Sequence, residues 1–168
     1  MAVAGARSMR DFADEHGIAV DLGGKLVVAT DQRQIPSLLR LLDRSKANGV
    51  PARLLSPEQA REFEPHVRCV AALRVETTGI VDYPAVTRRL AELIVEGGGE
   101  VAFNHEIVDI EASFDGVTVV TPQREVRGDW FVNCAGLQSD RLARLAGLVP
   151  DVRIVPFRGE YFELAPAA

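Results

Sequence analysis

The stretch EVAFNHEIVDIEASFDGVTVVTPQREVRGDWFVNC, residues 100–134, decides the fold class. Apolar residues, many of them β-branched, recur along it and favour extended backbone. Asp115-Gly116 is a hairpin signal, because glycine accepts the positive φ that tight turns require. Thr121-Pro122-Gln123 punctuates a second turn. The pattern predicts three strands in close order, at 100–114, 117–121 and 126–134. A meander this small does not stand alone in water and must pack on something.

Upstream, helices and strands alternate. A short helix over 6–16 is ended by Gly17, which tolerates a left-handed cap. The run 23–30, glycines followed by Leu26-Val27-Val28, predicts a buried strand. Asp31 caps a helix with Pro36 in its first turn and Ile35, Leu38, Leu39 and Leu42 on one face, closed by Asn48-Gly49. Ser56-Pro57-Glu58-Gln59 has the form of a capping box and starts a helix ending near Glu64-Pro65. Residues 70–75 predict a strand and 76–82 a loop or strand end. From Pro84 a helix carries Val86, Leu90, Leu93 and Ile94 on its apolar face, and Gly97-Gly98-Gly99 stops it. Downstream of the meander come a short helix over 139–146, capped by Ser139 or Asp140 and closed by Gly147, and a strand-like run over 152–164. Alternating elements with an antiparallel meander in the second half argue for an α/β chain with two subdomains, not one doubly wound sheet.

Hydrophobic residues make up 47% of the chain and charged residues 26%, a globular profile and not a disordered one. The net charge of −5 comes with scattered basic residues, which argues against a nucleic-acid partner. No stretch approaches the ~18 apolar residues needed to span a bilayer. Residues 1–10 lack the apolar core of a signal peptide, so the cytoplasm is the expected compartment. Cys69 and Cys134 lack metal-ligand spacing and read as reduced, packed thiols, with a bridging or catalytic role as the alternative.

Several motifs carry chemistry and each has a plainer alternative. Phe131-Val132-Asn133-Cys134-Ala135-Gly136 runs an apolar strand into small residues before a helix. Small residues there admit a ligand or backbone closely, as at the carboxyl ends of strands in open α/β sheets, and they equally make a tight turn. Thr77-Thr78-Gly79-Ile80-Val81-Asp82 either offers hydroxyls to a pocket or is a loop whose Asp82 caps the next helix, and the cap is favoured. In Phe157-Arg158-Gly159-Glu160-Tyr161-Phe162, alternation sets Arg158, Glu160 and Phe162 on one face. Arg158 is then a fork for a substrate carboxylate or half of a surface ion pair. His16, His66 and His105 have no partners that suggest a metal site or a nucleophile–base pair, and no general base is nominated. The dinucleotide motif G-x-G-x-x-G is not in this sequence; Gly97-Gly98-Gly99 follows a helix, which is the wrong order for it.

Read together, residues 15–18, 24–30 (GKLVVAT), 47–50, 78–83 (TGIVDY), 132–141 (VNCAGLQSDR) and 154–161 (IVPFRGEY) resemble, in order, the L-2-hydroxyglutarate oxidase/dehydrogenase family of D-amino-acid-oxidase-like flavoproteins. The resemblance implies a partial two-domain flavoprotein fold, with a mixed sheet in a substrate domain interleaved with an FAD domain. Residues 1–20 would form a linking helix, 21–82 part of the substrate domain, 83–148 part of the FAD domain, and 149–168 a returning substrate-domain strand. It implies FAD as cofactor, with Ile107 on the strand that meets the adenine and Ala135 and Gly136 beside the flavin nucleotide. Arg158 and Tyr161 would meet a small 2-hydroxyacid substrate, and oxygen or a membrane electron carrier would accept the electrons, which allows a place peripheral to the inner membrane. The absent glycine motif makes the chain, by this resemblance, an internal fragment expected to self-associate. Two rivals remain at this point: a related flavoprotein acting on an amino acid or glycerol 3-phosphate, and a non-catalytic binding module.

Overall fold

A computed structural model describes residues 2–162. It divides into two compact units, residues 1–101 and 102–168. In the first unit, helix α1 (Ala2–Glu15) buries Ala13 and ends with His16 stacked edge-on against Phe12, ring centroids 4.4 Å apart. Strand β1 (Val20–Asp21) and then β2 (Lys25–Ala29) follow. The Asp31 carboxylate accepts from Arg33 N–H, and a 3-10 turn leads into α2 (Ile35–Ala47). The first unit is completed by β3 (Ala52–Leu55), α3 (Pro57–Arg61), β4 (Ala71–Val75), β5 (Ile80–Val81) and α4 (Tyr83–Glu96).

Strand β4 is central, with β2 and β3 antiparallel on either side. Successive side chains of a strand point to opposite faces, and here both faces are covered. Leu73 packs with Ala29 of β2 and Leu38 of α2 on one side; Ala72 packs with Leu55 and Ala60 of α3 on the other. Ile35 and Leu42 join the first cluster, while Leu39, expected on the same face, is 42% exposed. The capping box at Ser56 forms as the sequence predicts: Ser56 Oγ accepts from Gln59 N–H, and Gln59 Oε1 accepts from Ser56 N–H. Asp82 caps α4 by accepting from Ala85 N–H at 2.9 Å. Arg89 of α4 donates to His16 Nδ1 and pairs with Glu92 and Glu96, tying α4 to the end of α1.

The second unit is the meander β6 (Asp109–Ser113), β7 (Gly116–Val120) and β8 (Glu125–Gly128), with α5 (Ser139–Leu145) against β6. Thr121 Oγ1 builds the second turn, accepting from Gln123 and Arg124 N–H and donating to Arg124 O. The order of strands is as the sequence predicts, but the outer two are shorter. Strand β6 begins at Asp109, not residue 100, because β7 ends opposite it at Val120 and turns away. One further bond, Val108 N–H to Val120 O at 2.9 Å, extends the ladder. Asn104 takes φ 60°, and His105 Nδ1 meets Phe103 O, so the chain turns locally before the strand. Strand β8 stops at Gly128, opposite Val117, because β7 offers no partner for 129–134.

Three other expectations change. All ladders among the described residues are antiparallel, so the sheet expected to be mixed has no parallel pair there. Residues 152–162 are irregular where a strand was predicted, since no described strand pairs with them; 163 and 164 lie outside the described residues. Strand β3 was not anticipated: Ala52-Arg53-Leu54-Leu55 lacks β-branched residues and is extended because β4 offers it an edge.

Candidate functional site

The turn between the meander and α5 is held by one side chain. Asn133 Nδ2 donates to Ser139 O at 2.8 Å, and Asn133 Oδ1 accepts from Ala135 N–H at 3.2 Å. This is the way asparagine makes a turn, by substituting its amide for backbone. Ala135 is half-buried and Gly136 exposed at φ 55°, a left-handed conformation that favours glycine. A Cβ at Gly136 would meet nothing within 4 Å, so the backbone here faces open space. Gly136–Gln138 then forms a 3-10 turn leading into α5. Neither Ser139 nor Asp140 caps that helix: Gln138 occupies the N-cap without a side-chain bond, because the tighter turn starts three residues earlier.

Ile107 is half-buried and lies in the segment entering β6, one residue before the bond of Val108 to Val120. It belongs to the same unit as Ala135 and Gly136 but lies two residues before β6, not on the strand expected to carry it. Arg158 and Tyr161 are exposed, Tyr161 at 95%, and line a shallow cleft made only with Gly159, Glu160 and Phe162. The structure therefore does not bring them to the 133–138 turn. No ion pair joins Arg158 to Glu160 among the described residues, so the plainer reading of that pair has no support either. Cys69 is half-buried on the Leu55 cluster as expected, but Cys134 is exposed, because β8 ends before reaching it; both are free thiols.

Sequence reasoning missed the polar ring beyond the turn. Leu137, Asp140, Arg141, Arg144, Arg153 and Ile154 line a cleft of about 550 Å³. Burial pushes the Asp140 carboxyl up, but the Arg144 hydrogen bond and charge, with the backbone amides of Ile154 and Arg141, outweigh it and hold the group below its ordinary value. The Asp140–Arg144 spacing of four on a helix was the available signal. Among the described residues no group of three His, Cys, Asp or Glu side chains is placed to hold a metal. Among the described residues no helix is long and apolar enough to cross a membrane.

The family model described as DAO, FAD dependent oxidoreductase, matches residues 1–168. The chain belongs to this family. Within the FAD dependent oxidoreductases it is 37% identical over 165 residues to L-2-hydroxyglutarate dehydrogenase of Escherichia coli K12, which covers 98% of this chain and 39% of that protein. The mitochondrial L-2-hydroxyglutarate dehydrogenase of Homo sapiens is 40% identical over 179 residues, covering 99% of this chain and 39% of that protein. The chain thus spans about two-fifths of the length of these relatives. Among solved structures, the L-proline dehydrogenase of P. horikoshii superposes with a TM-score of 0.75 at 21% identity, covering 84% of this chain and 39% of that one. The dithionite-reduced L-alpha-glycerophosphate oxidase of Mycoplasma pneumoniae with FAD bound gives 0.70 at 25% identity, covering 77% and 36%. The α/β class read from the sequence holds for the family.

The residues present fit the edge of a bound flavin nucleotide. Gly136 leaves its surface open to close approach and Asn133 fixes the turn that presents it. The glycine-rich pyrophosphate motif of such cofactor sites has no counterpart in this sequence.

Proposed function

We propose that this chain is part of an FAD-dependent oxidoreductase that oxidises L-2-hydroxyglutarate to 2-oxoglutarate. The observation that carries the reading is identity of 37–40% to L-2-hydroxyglutarate dehydrogenases across 98–99% of the chain. When bound, FAD supplies the two-electron acceptor for the hydrogen on C2. The chain's own residues serve to bind and orient: Ile107, Ala135 and Gly136 lie against the flavin nucleotide, and Arg158 and Tyr161 meet a substrate carboxylate. The oxidation would take a hydride from C2 and release the hydroxyl proton to solvent, with oxygen or a membrane electron carrier as final acceptor of the two electrons. The compartment that follows is the cytoplasm, at the inner membrane where the carrier is the acceptor. Residues 1–20 link, 21–82 and 149–168 belong to the substrate domain, and 83–148 to the FAD domain. We also infer self-association of this chain from its exposed apolar side chains.

The test is the visible spectrum of the protein carrying this chain, taken anaerobically before and after each enantiomer of 2-hydroxyglutarate. A flavin spectrum that bleaches with the L form and not the D form is expected. Equal bleaching by both, or by neither, overturns the reading. Bleaching by an amino acid or glycerol 3-phosphate in their place would favour the related flavoproteins, and a folded colourless protein the non-catalytic binding module.

A further inference from the structure

Residues 151–162 pair with no strand among the described residues, yet they carry Arg158 and Tyr161. Of these twelve residues only Ile154 is other than exposed, so the segment meets its unit there. The polar group it meets is Asp140, at the second position of α5, whose carboxylate accepts from the backbone N–H of Ile154 and of Arg141. Arg153, Ile154 and Pro156 accordingly share one cleft with Asp140, Arg141 and Arg144.

Asp140 differs from other paired carboxylates of the chain in its burial. Its side chain is 10% exposed, with Arg144 Nη1 at 3.1 Å, whereas Asp31 and Asp115 in their ion pairs are 40% and 50% exposed. A carboxylate withdrawn from water is costly unless its oxygens are occupied. Arg144 and the Arg141 amide come from the same helix; the Ile154 amide is the partner that comes from further along the chain. An ionised acceptor also makes a stronger bond to an amide than a neutral one. Helix α5 itself packs on β6. The residue before Asp140, Ser139, has its carbonyl held by Asn133 Nδ2 at 2.8 Å. Adjacent residues of one helical turn therefore hold both the 133–138 turn and the segment that leads to Arg158 and Tyr161.

We propose that Asp140 is a positioning residue: by holding the Ile154 amide on the first turn of α5, it fixes the point from which Arg158 and Tyr161 reach the substrate. Four residues separate Ile154 from Arg158, so the arginine is kept within about 14 Å of that point even with the chain fully extended. Without the carboxylate, residues 151–162 have no described strand to hold them and Arg158 samples a wider volume. The proposal rests on the function proposed above, which gives Arg158 and Tyr161 the substrate carboxylate and Ala135 and Gly136 the flavin nucleotide.

The first test is amide hydrogen exchange of the 168-residue chain. Asp140→Ala should speed exchange at Ile154 by at least about tenfold, as loss of a hydrogen bond to a charged group implies, while the amides of β7 keep their protection. Asp140→Asn, which retains an oxygen acceptor, should lose less. Unchanged exchange at Ile154 would mean that its side chain and not the carboxylate holds the segment, and loss spreading to β7 would make Asp140 a residue of the fold at large; either overturns the proposal. The second test is steady-state kinetics of the flavoprotein that carries this chain. Asp140→Ala should raise KM about tenfold with kcat little changed and the flavin spectrum unaltered, since binding common to ground and transition states is what a misplaced Arg158 loses. Failure of the two readings is distinguishable. A parent protein that bleaches with neither enantiomer removes the activity, while a freed Ile154 amide still establishes the hold of Asp140 on the segment. Oxidation of L-2-hydroxyglutarate with KM unchanged in Asp140→Ala leaves the activity and removes the positioning role.

Discussion

At the residue scale, Asn133 and Gly136 do the most with the fewest atoms. The strand-to-helix turn was legible in the sequence because Ala135-Gly136 is small and precedes helical spacing. The role of Asn133 was not, because an asparagine inside an apolar run reads as an interruption until its two bonds to Ser139 O and Ala135 N–H are on the page. Asn133→Ala should cost about 1–3 kcal/mol, since it leaves half-buried backbone groups unpartnered. Gly136→Ala should cost about 1–2 kcal/mol from the left-handed backbone alone, with no steric clash to add. Chemical denaturation of the two variants checks both figures, and a loss under a few tenths of a kcal/mol in each would refute this account of the turn. A second residue gives a pH effect. The Ser113 hydroxyl holds the Asp115 carboxyl below its ordinary value, burial opposes this, and Arg127 adds to the lowering. A carboxyl depressed by folding contributes stability above its unfolded pKa and loses that contribution as pH falls through the folded value. The Asp115 carboxyl ¹³C titration should therefore move to higher pH in Ser113→Ala, and an unmoved midpoint would show the hydroxyl to be irrelevant.

At the element scale, what the sequence disclosed depended on whether the cause was local. The capping box at Ser56, the Asp82 cap and the Thr121 turn are made within a few residues, and each formed as its motif implied. Strand ends are not local. The lengths of β6 and β8 are set by where β7 starts and stops, and β3 exists because β4 has a free edge, so composition misjudged all three. The same reasoning explains residues 152–162: their alternation is real, but alternation predicts which face a side chain takes only once a partner strand is present. A local cause has a measurable consequence. Ser56→Ala should destabilise the first unit by about 1 kcal/mol, while Ser56→Asp, which keeps an acceptor at the N-cap, should retain most of that stability. Equal loss in both variants would mean the hydroxyl acts through its bond to Glu58 and not through the cap.

At the scale of the whole molecule, burial is unevenly shared. In the first unit β4 is covered on both faces, and nine of the ten buried hydrophobic residues lie there. Among the described residues of the second unit Ile110 is the single buried hydrophobic side chain, while Trp130, Phe157, Tyr161 and Phe162 are each at least 90% exposed. The helix α4 is open as well, with Leu90 and Ile94 about half exposed on the stripe that also bears buried Val86. Covering a large apolar side chain stabilises by about 1.5–3 kcal/mol, so four exposed aromatics form a substantial drive toward association. Sedimentation of the 168-residue chain should show its apparent mass rising with concentration. Trp130→Ser combined with Phe157→Ser should lower that dependence without altering the far-ultraviolet dichroism, because neither side chain supports the core. A chain that sediments as a monomer at all concentrations would mean that these aromatics tolerate water singly, as scattered exposed residues do. The self-association inferred from them would then be withdrawn.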